Sequence, residues 1–148
     1  MRTKTALIAL AGWALSNTAW GQECAQTIEG NDQLQYSLAE IRVSAECAEV
    51  TITLRHVGKL AVNVMGHNWV LTTTADFNPV AMAGASAGPP EYLPAGDARV
   101  IAATAMIGGG GETAVTFDIS GLQAGGDYTF FCTFPGHFAL MNGKFIIE

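Results

Sequence analysis

Val50-Thr51-Ile52-Thr53-Leu54-Arg55-His56 alternates apolar and polar side chains without a break, which is the period of an extended strand with one buried face. Val50, Ile52, Leu54 and His56 share the inward parity. Val115-Thr116-Phe117-Asp118-Ile119 repeats the pattern, and Tyr36-Ser37-Leu38 through Ile41-Arg42-Val43 gives a broken version with a bulge. Short strands are also expected at Val62 to Met65, Trp69 to Thr73, Arg99 to Thr104, Tyr128 to Cys132 and Lys144 to Ile147. Turn signals separate them at Gly30-Asn31-Asp32, Gly58-Lys59, Gly108 to Gly111, Gly125-Gly126-Asp127 and Asn142-Gly143. Seven or eight short strands with frequent turns predict an all-β sandwich or barrel.

Asp76 to Pro94 departs from this pattern, because Ala, Met and Gly replace β-branched residues. Asn78-Pro79 can open a short helix with proline in its first turn, and Gly84 and Gly88-Pro89-Pro90 are expected to end it early. The stretch reads as an irregular insertion carrying one short helix. Gly108 to Gly111 lacks the following lysine and helix pattern of a phosphate-binding loop.

A chain of 148 residues, 49% hydrophobic and 14% charged, fits one globular domain and excludes a disordered chain. Its first 21 residues combine Arg2 and Lys4, a short apolar run, and small residues at Ala19 and Gly21. This is the pattern of a secretory signal cut before Gln22, and the run is too short to span a bilayer. Residues 22–148 then form a single domain with five basic and thirteen acidic side chains, a net charge of −8. Such a balance argues against nucleic-acid binding.

Three cysteines in an exported chain mean one pair and one remainder. Cys24 and Cys47 lie near the mature N-terminus in polar sequence, whereas Cys132 sits within Tyr128-Thr129-Phe130-Phe131-Cys132-Thr133-Phe134. The expected disulfide joins Cys24 to Cys47. Cys132 is left for chemistry.

Cys132-Thr133-Phe134-Pro135-Gly136-His137-Phe138-Ala139-Leu140-Met141 places a thiol, an imidazole and a thioether on one loop, which Pro135-Gly136 can reverse. His67, in the turn-like Gly66-His67-Asn68, offers a second imidazole. Two imidazoles, a thiolate and a thioether suit copper cycling between two oxidation states: soft sulfur favours the reduced ion and imidazole accepts both. Zinc is the weaker reading, since a thioether is a poor fourth ligand for it and structural zinc sites usually show closely spaced cysteine pairs. A Cys–His nucleophile lacks an orienting group, and a bland core cysteine leaves four suitable donors in this order unexplained.

Gly66-His67-Asn68-Trp69-Val70-Leu71 and the Cys132 to Met141 loop resemble the copper loops of the azurins, a family of small cupredoxins. The resemblance extends through Glu23-Cys24-Ala25, Gly30-Asn31-Asp32-Gln33, Leu54-Arg55-His56, Arg99-Val100-Ile101-Ala102 and Val115-Thr116-Phe117-Asp118. It implies a cupredoxin-like Greek-key sandwich of about eight strands that binds one copper and shuttles one electron in the periplasm of a Gram-negative bacterium. His67, Cys132 and His137 would form the trigonal plane, with Met141 a long axial contact and the Gly66 carbonyl a weak one opposite. Asn68 would tie the two ligand loops together, and the backbones of Asn68 and Phe134 would donate toward the Cys132 sulfur. Implied partners are a c-type cytochrome and a periplasmic reductase or dehydrogenase, met by a monomer.

Met65, Pro135, Gly136, Phe138, Ala139 and Leu140 form an expected apolar electron port around His137. Phe138 departs from the small polar residue common at that place in azurins, and is expected to enlarge the patch or partly cover the port. His56 is expected close to the metal without binding it, and Trp69 to be adjacent core. With His67 and His137 used, only His56 remains for a second copper site, so the chain reads as a carrier and not an enzyme. A periplasmic copper chaperone or buffer is the alternative.

Overall fold

The computed structural model describes residues 24–148; the expected leader and its cleavage before Gln22 lie outside the described residues. Eight strands are described: β1 (Ala25–Gly30), β2 (Glu40–Val43), β3 (Glu49–His56), β4 (Val70–Thr73), β5 (Ala102–Ala103), β6 (Glu112–Asp118), β7 (Tyr128–Phe131) and β8 (Asn142–Ile147). They form two mixed sheets, ordered β1-β3-β6 and β2-β8-β7-β4-β5. β1 runs parallel to β3 and β2 parallel to β8, while all other pairs are antiparallel. This is the expected cupredoxin sandwich.

The alternation of β3 works as expected. Val50, Ile52, Leu54 and His56 are buried while Arg55 stays at the surface, paired with Glu112. Facing side chains from both sheets, among them Ile28, Trp69, Leu71, Phe130 and Phe145, close the core. Each contributes about 1.5–3 kcal/mol through removal from water. β7 shows no alternation because both its faces are covered: Phe130 enters the sandwich, and Phe131 lies under helix α2 (Phe77–Ala87) with Val80 and Ala81. Cys24 and Cys47 are joined in a disulfide, leaving Cys132 free and buried.

Trp69 is fully buried against Phe117, Phe130 and Phe145, and its indole Nε1 has no hydrogen-bond partner among the described residues. From Gln22 onward it is the one tryptophan. An excited indole with no polar neighbour to relax it is expected to emit far to the blue of free tryptophan and to resist acrylamide quenching. Emission near that of a solvated indole, measured on the chain beginning at Gln22, would contradict this packing.

The structure corrects several expectations. Val62–Met65 is a single helical turn, α1, because the Val64 and Met65 N–H groups both return to the Ala61 carbonyl at 2.9 Å. These bonds outweigh valine's modest helix preference. β1 was not anticipated, and Arg99 to Thr104 contributes only the two-residue β5. Helix α2 runs eleven residues, straight through Gly84. Glycine is required there because any Cβ would collide with the Tyr92 carbonyl oxygen; of the two expected stops only Gly88, with φ +74°, ends the helix.

Candidate metal centre

The centre lies at one end of the sandwich, where β7 and β4 deliver one ligand loop each. Cys132 directly follows β7, and its N–H donates to the Met141 carbonyl at 3.0 Å, closing the loop that carries His137. Within it Gly136 adopts φ +80°, a left-handed turn suited to glycine, before a 3-10 turn over His137–Ala139. The N–H of Met141 donates back to the His137 carbonyl at 2.8 Å. His67 precedes β4 and is clamped by a two-way backbone bridge with Ile107.

His67, Cys132 and His137 converge, their donor atoms all lying within 4.8 Å of one another. Cys132 Sγ stands 3.9 Å from His67 Nδ1, 3.7 Å from His137 Nδ1 and 3.8 Å from the Gly66 carbonyl oxygen. Metal–nitrogen and metal–sulfur bonds of about 2.0 and 2.3 Å in a trigonal plane set N and S about 3.7 Å apart, so these residues fit a single ion. Met141 is fully buried, and its methyl reaches the same glycine, Gly30, that His67 touches: a Cβ there would come within 3.4 Å of Met141 Cε and 2.8 Å of His67 Cδ2. A trigonal His2Cys set with a thioether nearby favours copper.

Surrounding bonds orient these donors. His67 Nε2 lies 2.9 Å from the Asn31 carbonyl, which calls for a proton on Nε2 and leaves Nδ1 free to bind. Asn68 is buried and ties the loops together: its Oδ1 accepts the Thr133 N–H at 2.9 Å and its Nδ2 donates to Thr133 Oγ1 at 2.7 Å. The Tyr36 hydroxyl, from the connection between β1 and β2, donates to the Asn68 carbonyl. The backbone N–H groups of Asn68 and Phe134 favour the ionised form of the Cys132 thiol.

Burial controls the protons. It pushes the Cys132 thiol up to about 12 against those two N–H groups, so a metal must displace a proton to bind thiolate. Burial, with the neighbouring His67 and His56, pulls His137 down to about 4; His67 is lowered mainly by burial. Without metal, the unfolded chain takes up protons below the ordinary histidine value of about 6.5 that the folded chain refuses until about 4. Stability of the metal-free protein is therefore expected to be lost as pH drops from about 6.5 to about 4 and to show no such loss above that window. Denaturant titrations at pH 7 and 5 check this, with a His137→Gln variant showing a reduced slope.

His56 is buried beside the centre as expected. Its ring stacks on His67 with centroids 4.3 Å apart, while Nε2 bonds the Met65 carbonyl and Nδ1 accepts the Gly58 N–H. Both ring nitrogens are occupied by the backbone.

Pro135, Gly136, Ala139 and Leu140 are exposed and Met65 is half-buried, whereas Phe138 turns partly inward. Phe138 packs edge-on to Phe77 of α2, so it anchors the helix to the ligand loop. It stays partly exposed beside His137. Leu60, Val62 and Val64 are exposed near α1, although a strand at Val62 would have hidden alternate residues. Sequence reasoning also missed Gly30, Asn31 and Thr133; Asn31 acts through its carbonyl, which every residue possesses.

Residues 22–148 match the family of copper binding proteins described as the plastocyanin/azurin family. The chain is 53% identical to azurin of Bordetella pertussis over 131 residues, covering 88% of this chain and 87% of the relative. It is 55% identical to azurin-1 of Alcaligenes xylosoxydans over 122 residues (82% and 95%) and 46% identical to azurin of Pseudomonas aeruginosa over 149 residues (100% of both). A solved azurin, Az-iso2 from Methylomonas sp. strain J, superposes with a TM-score of 0.81 at 44% identity, covering 84% of this chain and 98% of that one.

Proposed function

The chain belongs to the plastocyanin/azurin family of copper-binding proteins, and from that membership we propose that His67, Cys132 and His137 hold its copper, with Met141 and the Gly66 carbonyl as weak axial neighbours. The protein is a blue-copper electron carrier. The convergence of three buried donors from two rigid loops carries the ligand assignment. Copper, when bound, supplies a one-electron couple between Cu(II) and Cu(I).

The chain's own residues limit rearrangement when that charge changes. Asn31 holds the His67 ring and Asn68 locks one loop to the other. The backbone N–H groups of Asn68 and Phe134 withdraw charge from the Cys132 sulfur, which favours the reduced state. His137, 5% exposed, is the ligand nearest solvent, beside the exposed Pro135, Gly136, Ala139 and Leu140. That apolar surface serves as the electron port, with Met65 at its edge and Phe138 supporting it from beneath. A small smooth patch favours brief contacts with redox proteins.

Turnover of a substrate is not part of this reading. The chain has three histidines, and His56 spends both ring nitrogens on the backbone, leaving no imidazole for a second copper. Residues 1–21 act as a leader that sends residues 22–148 to the periplasm as a single-domain monomer, where a c-type cytochrome and a reductase or dehydrogenase exchange electrons with it. Among the described residues no helix is long and apolar enough to cross a membrane.

A copper chaperone would need exposed, exchangeable ligands, but Cys132, His67 and Met141 are fully buried. Met141→Leu separates the readings. A carrier is expected to keep copper and raise its potential by on the order of 59 mV, a tenfold change in preference between oxidation states. Loss of Cu(I) binding would instead favour the chaperone.

A further inference from the structure

Beside the electron port lies a cavity of about 300 Å³, walled by Val62 and Asn63 of α1, Pro89, Pro90, Tyr92 and Met106, with Glu91 as its charged group. We propose that this cavity receives a lysine side chain from the redox partner, its alkyl stem against the apolar walls and its ammonium on Glu91. The inference rests on the electron-carrier reading and names the chemistry of the partner's docking residue.

Glu91 Oε2 already accepts the Met106 N–H at 2.9 Å, and Oε1 has no hydrogen bond among the described residues. A single carboxylate oxygen left open at an exposed glutamate on the cavity rim suits a point-charge ammonium on a flexible four-carbon stem better than a guanidinium, which seeks two oxygens at once. The Tyr92 ring adds an aromatic surface for the cation. None of the basic residues of 22–148 lines the cavity, and that segment carries five basic against thirteen acidic side chains, so its field attracts a cationic partner.

The cavity is joined to the metal loops through short contacts. The Glu91 carbonyl accepts Asn68 Nδ2 at 3.4 Å and Thr133 Oγ1 at 3.5 Å. Tyr92 packs 5.1 Å from Phe134, whose ring is 4.5 Å from that of His137. Met106 backs onto Gly66, where any Cβ would come within 3.0 Å of its sulfur. A lysine seated here places its own protein over His137.

The test uses reduced, copper-loaded protein and amide NMR shifts. n-Butylammonium is expected to give saturable shifts at Glu91, Tyr92 and Met106, with n-butanol about tenfold weaker, the ratio of one charge-assisted contact. Glu91→Gln keeps an acceptor for Met106 and is expected to erase that ratio. A lysine-rimmed c-type cytochrome is expected to perturb the same amides, and the cytochrome with acetylated lysines to leave them unmoved. Equal binding of butanol, tighter binding of n-butylguanidinium, shifts confined elsewhere, or undiminished perturbation by the acetylated cytochrome would each overturn the proposal. The blue absorption of the wild-type protein reports separately on the copper reading, so the two failures are distinguishable.

Discussion

Replacing Cys132 by serine is expected to abolish the intense blue absorption and the small copper hyperfine splitting that wild-type protein shows after one equivalent of Cu(II). Both signals come from covalency between copper and a thiolate sulfur in a trigonal site. Serine fills nearly the same space, yet its hydroxyl keeps its proton and is a hard, weak donor. Cys132 is wholly buried and its N–H is already satisfied by the Met141 carbonyl. The far-ultraviolet circular dichroism should therefore stay unchanged while the metal signature disappears. A pale, tetragonal spectrum from the wild-type protein would show that the ligand assignment is wrong.

Asn68→Ala is expected to cost about 3 kcal/mol of stability, from three lost side-chain bonds and a Thr133 N–H stranded in the interior. Its carboxamide joins the loop before β4 to the loop after β7, and no other side chain bonds the Thr133 N–H. Urea unfolding of the metal-free variant measures this term without any contribution from copper. The loaded variant should also show a displaced blue band, because the loop bearing His67 loses its tie to the one bearing Cys132. A stability change below about 1 kcal/mol would mean the loops are held by the sheets alone.

The candidate ligands are legible because their chemistry is written in side-chain type. A free cysteine, a histidine and a methionine fall within ten residues, and a second histidine interrupts an apolar stretch. The strand β3 was equally plain, since alternation over seven residues has one extended reading. Val62–Met65 misled for the converse reason. Four residues are too few for a period to show, and local carbonyls decided the outcome. Gly84 was read as a helix breaker from its backbone freedom, whereas its place depends on Tyr92, a residue outside the helix.

Sequence by itself determined an all-β fold of short strands, the Cys24–Cys47 pairing and the candidate donor set, because each follows from hydrophobic period, cysteine number or ligand softness within short stretches of chain; the choice of sandwich over barrel came from the family resemblance. Only the tertiary structure decided that Phe138 turns toward α2, that the Asn31 carbonyl holds His67, that His56 stacks on that ring, and that Glu91 sits in a cavity beside the port. These features depend on contacts between segments far apart in the chain. Backbone carbonyls carry no sequence signal, and a side chain's exposure is set by whatever the fold packs against it.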